Sequence, residues 1–152
     1  MNHQHLRFLF PAVLAGPVSC GELTPIMEDA RHFLEFRSVS TEPKPGFEWF
    51  TLNGEVVYLD SQPVLTDQHV ASLEPTVRDD GLLLELNLTE SGRARLSDYT
   101  RQNTGTRLAL VLDSEIRSAP VIASEIQSPL QIKLTLDPSA SEELATQIRA
   151  RW

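Results

Sequence analysis

Five consecutive residues, Leu108-Ala109-Leu110-Val111-Leu112, carry no polar side chain and are bracketed by Gly105 and by Asp113-Ser114-Glu115. An apolar run of this length between turn residues reads as a central strand covered on at least one face. Gly105, with Asn103 and Thr104, supplies the positive φ that helix C-termini commonly use. Asp113 to Glu115 turns the chain back, and Ile116 to Ile122 follows as a second strand. Pro120 cannot donate to a ladder, which confines that strand to an edge or a bulge.

The flanks extend the pattern on both sides. Leu84, Leu86 and Leu88 alternate with Glu85 and Asn87, the period of a half-buried strand opened by the turn Asp79-Asp80-Gly81. Thr89 then caps a helix to about Gln102, in which Gly92, Leu96 and Thr100 form one row spaced four apart. That small–large–small row lets the helix lie close on a sheet. Beyond Pro129, Leu130, Ile132, Leu134 and Leu136 point one way and Gln131, Lys133 and Thr135 the other. Asp137 and Pro138 start a last helix whose stripe is Leu144, Ala145 and Ile148. Upstream, Phe33, Leu34, Phe36 and Val39 form a strand ended by Thr41-Glu42-Pro43-Lys44-Pro45-Gly46. Trp49 to Leu52 and Glu55 to Leu59 flank Asn53-Gly54, the pair that a type I′ hairpin turn requires. Thr66 caps a short helix expected to run through Leu73 and to stop at Pro75. Short connections force antiparallel neighbours, so the fold expected is α+β, a mainly antiparallel sheet with two main helices packed on one face.

A chain of 152 residues is one domain preceded by an address. His3, His5 and Arg7 lead into an apolar stretch from Phe8 to Val18, then Ser19, Cys20 and Gly21, the order of a signal peptide and too short to span a bilayer. Cys20 stands where a bacterial lipoprotein carries its lipidated cysteine, but Pro17 occupies a lipobox position usually held by Leu. Lipidation of Cys20, ordinary cleavage nearby and an uncleaved N-terminus all stay open. The organisation expected is a signal peptide over 1–20, a tether over 21–32 and a folded domain over 33–152. A single cysteine forms no internal disulfide.

With 13 Lys plus Arg against 21 Asp plus Glu, the formal charge is −8, and no basic cluster matches a phosphate backbone. Nucleic-acid binding is excluded as a reading, and membrane contact is expected only through an anchor. His32 and His69 lack ligand spacing, so no metal or cofactor site is expected. Asp79-Asp80-Gly81 lacks the alternating acids of a calcium loop. Ser118 lacks the nucleophile elbow and a partnering histidine, so no catalytic residue is assigned. Glu142-Glu143 complements the dipole of the last helix. Phe47, Trp49, Phe50 and Tyr58 cluster on the Asn53-Gly54 hairpin, where they serve either as core or as a partner patch.

Gly92, Leu96, Thr100, Asn103, Gly105, Leu108 to Asp113, Ser118-Ala119-Pro120, Ile126, Ile132 and the Glu142 to Arg149 helix occur in an order and spacing that resemble the head subdomain of the first periplasmic domain of SecD. Leu34 to Val39 is similar to the strand that leads into that head. The paired glycines that SecD places after the Ser-Ala-Pro strand are replaced by Gln127-Ser128-Pro129-Leu130, and the transmembrane helices that conduct protons in SecD do not follow. The resemblance implies a head-like fold in the periplasm or cell envelope and contact with unfolded or partner polypeptide, and it implies no enzyme activity. Alternatives from other classes are an extracytoplasmic enzyme with an unrecognised site and a structural envelope lipoprotein.

Overall fold

The computed structural model describes residues 32–152. The expectations for Cys20, the signal segment 1–20 and the tether up to residue 31 lie outside the described residues. Nine strands and two helices follow in order: β1 (Leu34–Ser40), β2 (Phe47–Leu52), β3 (Glu55–Asp60), β4 (Leu65–Thr66), a 3-10 turn (Asp67–His69), β5 (Val70–Arg78), β6 (Gly81–Leu88), α1 (Glu90–Gln102), β7 (Arg107–Leu112), β8 (Glu115–Ser118), β9 (Leu130–Leu134) and α2 (Pro138–Arg149). Every strand pairing is antiparallel. The strands form two sheets, one in the order β2-β3-β1-β7-β8 with β4 also on β1, the other β5-β6-β9.

The fully apolar run is β7, and it is buried on both faces. Leu108, Leu110 and Leu112 join the main core, where Leu34 and Phe36 of β1 meet Leu82, Leu84, Leu86 and Leu88 of β6. Leu96 of α1 and Leu144, Ala145 and Ile148 of α2 enter the same core, so both helices bury their expected rows there. Ala109 and Val111 face the other way, into a smaller cluster with Val39, Val57, Leu59 and Ala119. On that second face the Glu35 carboxylate accepts from Arg37 Nε at 2.6 Å, and Arg37 also donates to the Asp60 carbonyl at 3.0 Å. The pair satisfies a carboxylate that would otherwise be costly to remove from water.

Helix ends and turns follow the residues that announce them. Thr89 Oγ1 accepts from Gly92 N at 3.1 Å, and the Asp137 carboxylate accepts from Ala140 N at 2.9 Å. Asn53 and Gly54 have φ of 51° and 85°, the positive values of a type I′ turn.

The segment expected as a helix from Thr66 through Leu73 is instead one 3-10 turn followed by the nine-residue strand β5. A bulge between Val70 and Ser72 shifts the register with β6. Val70 and Leu73 are therefore both buried although three residues apart, a spacing that imitates a helix face. Pro75 does not stop an element; it lies within β5, opposite Leu84, and is tolerated because β5 is an edge strand.

Two outcomes test this packing. A Cβ at Gly92 would lie 2.5 Å from the His69 carbonyl oxygen, a backbone atom that cannot turn aside. Gly92→Ala gains about 1 kcal/mol of helix propensity but overpacks the contact, and overpacking costs about 1–3 kcal/mol. The variant is expected to be less stable in urea titration. Separately, the Lys133 ammonium on β9 hydrogen-bonds the carboxylate of Asp80 in the β5–β6 turn and holds that carboxyl below its ordinary range. Because the folded-state value is depressed, the contribution is complete above the unfolded-chain pKa of about 3.9 and fades as pH falls through the folded value. Lys133→Met is expected to move the Asp80 titration upward by NMR, with little change in stability at neutral pH because the pair is solvent-exposed.

Candidate functional site

The hairpin aromatics divide between two surfaces. Trp49 and Tyr58 are cross-strand partners, so they share a face with Phe47 two residues earlier, and Trp49 is 71% exposed. Val56 extends that face and is 54% exposed. Phe50 points to the opposite side and packs against the small second core. Lys44 Nζ stands 5.6 Å from the centre of the Phe47 ring. The indole of Trp49 is thus outside the core.

His32 and His69 each bond a different residue at the 3-10 turn. His32 Nδ1 lies 2.5 Å from Asp67 Oδ1, and His69 Nδ1 accepts from the Thr66 N–H at 3.1 Å. The His69 carbonyl accepts from Thr89 N at 2.9 Å, which docks the turn on the start of α1. The His32 imidazole therefore ties the turn to the chain entering β1, while the His69 imidazole caps the turn itself. Among the described residues no group of three His, Cys, Asp or Glu side chains converges to hold a metal.

Among the described residues a mainly apolar hollow lies between the two sheets. It has a volume of about 280 Å³ and runs between the chain leaving β8 and strand β9, the exposed edges of the two sheets. Phe36 and Leu108 form its floor, and Pro120, Val121, Ile126 and Ile132 line its walls. Two larger hollows, of about 540 and 440 Å³, open on either side of Trp152. Their linings include Glu74 and Arg149 in one, and Asp67 and Arg151 in the other, so neither offers a continuous apolar wall.

The residues singled out in the sequence build the groove from behind. Thr100 is fully buried on α1; its Oγ1 donates to the Leu96 carbonyl at 2.8 Å and accepts from Ile126 N at 2.9 Å. Ile126 is one wall of the groove, so the threonine fixes that wall to the helix. Ser97 on the same helix hydrogen-bonds Glu125. Gly105, at φ 91°, donates its N–H to the Ile122 carbonyl at 2.8 Å, and Ile122 N donates to the Thr106 carbonyl at 2.7 Å. Ser128 accepts from Leu88 N at 3.1 Å and anchors the far end of the loop. Sequence reasoning named Ile126 and Ile132 only as part of a pattern and did not mark Val121. The signal available was an apolar segment bracketed by Pro120 and Pro129.

Fold and groove together define an α+β head domain with an apolar cleft between two sheet edges. The profile of the family described as SecDF, P1 head subdomain, matches residues 43–151. The chain therefore belongs to the SecDF P1 head subdomain family. It is 32% identical over 95 residues to protein translocase subunit SecDF of Brucella abortus biovar 1 (strain 9-941), covering 60% of this chain and 12% of that protein. It is 31% identical over 107 residues to protein translocase subunit SecD of Aquifex aeolicus (strain VF5), covering 70% of this chain and 20% of that protein. A solved structure of SecDF, described as a membrane component that enhances protein export, superposes with a TM-score of 0.55 at 24% identity, over 93% of this chain and 72% of the other. SecDF in its super-membrane-facing form gives a TM-score of 0.57 at 26% identity, over 89% of this chain and 20% of the other. The chain spans no more than a fifth of the length of these two curated relatives. Among the described residues no helix is long and apolar enough to cross a membrane.

The Thr100 clamp can be tested directly. Thr100→Val keeps the shape but leaves the Ile126 N–H without an acceptor, and a buried unsatisfied donor costs about 1–3 kcal/mol. Amide exchange at Ile126 is expected to accelerate in Thr100→Val and to stay slow in Thr100→Ser.

Proposed function

We propose that this chain is a non-catalytic, extracytoplasmic binding module that holds an extended stretch of unfolded or partner polypeptide in the groove between β8 and β9. The observation that carries the reading is the apolar lining of that groove, with Val121 59% exposed at its rim and the edges of two sheets on either side. A hollow of about 280 Å³ lies at the lower end of the range for small-ligand pockets, about 300–1,000 Å³. It accommodates a few side chains of a segment, not a folded partner. Apolar walls favour the side chains that an unfolded chain exposes and a folded one hides. Family membership supports the same reading, since the relatives are protein translocase subunits.

In this reading the chain works outside the cytoplasm, beside exported polypeptide. Recognition by apolar side chains in a shallow cleft is tolerant of sequence, which suits a client that varies from one polypeptide to the next.

The test is site-specific photocrosslinking to a urea-unfolded secretory precursor. A photoreactive residue at Val121 is expected to give several-fold more adducts than one at exposed Arg101 on α1, and Val121→Asp with Ile132→Asp is expected to reduce binding about tenfold. Equal adducts at both positions, with a correctly folded protein, would rule out the groove as the binding site.

A further inference from the structure

We infer that the free edge of β2 is a second docking site, one that takes an extended basic–apolar segment of a partner protein as an added strand. In a two-residue hairpin the closing pair exchanges both hydrogen bonds, and the exchange recurs at every second pair. Here the closing pair is Leu52 and Glu55, so Phe50 with Val57 and Glu48 with Leu59 are also bonded pairs. The N–H and C=O groups of Trp49 and Thr51 are thereby turned away from β3. Among the described residues no backbone hydrogen bond engages them.

The other sheet edges are blunted or belong to the groove. Strand β5 carries a bulge and Pro75, and Arg149 reaches the Pro75 carbonyl at 3.4 Å. Strand β8 has four residues and an irregular register with β7, and β9 borders the groove. Strand β2 has six regular pairs, no proline, no lysine and no covering element in its register. Of the devices by which soluble proteins protect an edge it carries only one charge, Glu48, and no proline, lysine or bulge.

The side chains state what kind of strand would fit. Residues opposite Trp49 and Thr51 in an added strand would lie beside the exposed Trp49 and Val56 and the half-buried Tyr58, a surface for apolar side chains. Residues between them would fall on the other face, where Glu48 and Glu55 are exposed. Across residues 41–61 four acids, Glu42, Glu48, Glu55 and Asp60, stand against the single Lys44. The partner segment therefore alternates apolar residues with lysine or arginine. A second copy of this chain is the poorer occupant, because it would bring the same acidic hairpin against its like and carries the same net charge of −8.

The experiment uses the full chain and two blocked hexapeptides, one alternating lysine with valine and the other glutamate with valine. The lysine peptide is expected to bind at least tenfold more tightly, and less so as salt rises. On binding, amide exchange is expected to slow at Trp49 and Thr51 and to stay unchanged at Glu48 and Phe50, which are already bonded to β3. Glu48→Lys should reduce or reverse the preference between peptides, while Val121→Asp in the groove should leave it intact. Equal binding of the two peptides, or unchanged exchange at Trp49 and Thr51, overturns the inference without touching the groove. So does loss of binding in the Val121→Asp variant, which would place the peptide in the groove. Concentration-dependent protection of Trp49 in the absence of peptide would assign the edge to a second copy instead.

Discussion

Leu108, Leu110 and Leu112 face one core while Ala109 and Val111 face another, so β7 meets water on neither side. Burying a leucine is worth about 1.5–3 kcal/mol, and the net stability of an ordinary domain is about 5–15 kcal/mol. Three leucines of one short strand therefore weigh as much as the fold can lose. Other elements take their places from this strand: β1 pairs along its whole length, and β8 turns back on its far side. Among the described residues the helices cover the leucine side. On the alanine and valine side Val39, Val57, Leu59 and Ala119 cluster with Ala109 and Val111, and the Glu35–Arg37 pair lies on the same face.

The chain on either side of β7 performs a different task. Gly92 allows α1 to settle on the His69 carbonyl, and Thr100, two turns later, holds Ile126. Gly105 then receives Ile122, so the loop leaving β8 is bound at two places to the segment preceding β7. Within Gln127-Ser128-Pro129-Leu130, Ser128 gives this loop a side-chain anchor by accepting from Leu88 N. The groove wall is held by named hydrogen bonds rather than by loop freedom.

Much of this was readable from residue order. Hairpin, caps, the Gly92-Leu96-Thr100 row and the alternation of β6 depend on neighbours in sequence, and local chemistry announces them. Strand β5 escaped because its bulge places Val70 and Leu73 at helical spacing and because Pro75 is harmless only at an edge, which topology alone decides. The groove escaped for a related reason. Val121 and Ile132 sit on different sheets, and nothing in either segment states that the two edges face each other. The hairpin aromatics were ambiguous in sequence since alternation says that two faces exist, not which one is covered; the structure leaves Trp49 outside.

Because β8 and β9 belong to different sheets, no strand-to-strand hydrogen bond crosses the groove between them. Its two walls are joined through the core beneath and through the connecting chain, so the gap can widen or narrow without breaking a ladder. Phe36 and Leu108 in the floor belong to the one core that both sheets share. The width of the gap is therefore set by side-chain packing and by the anchored loop, not by hydrogen-bond register between strands.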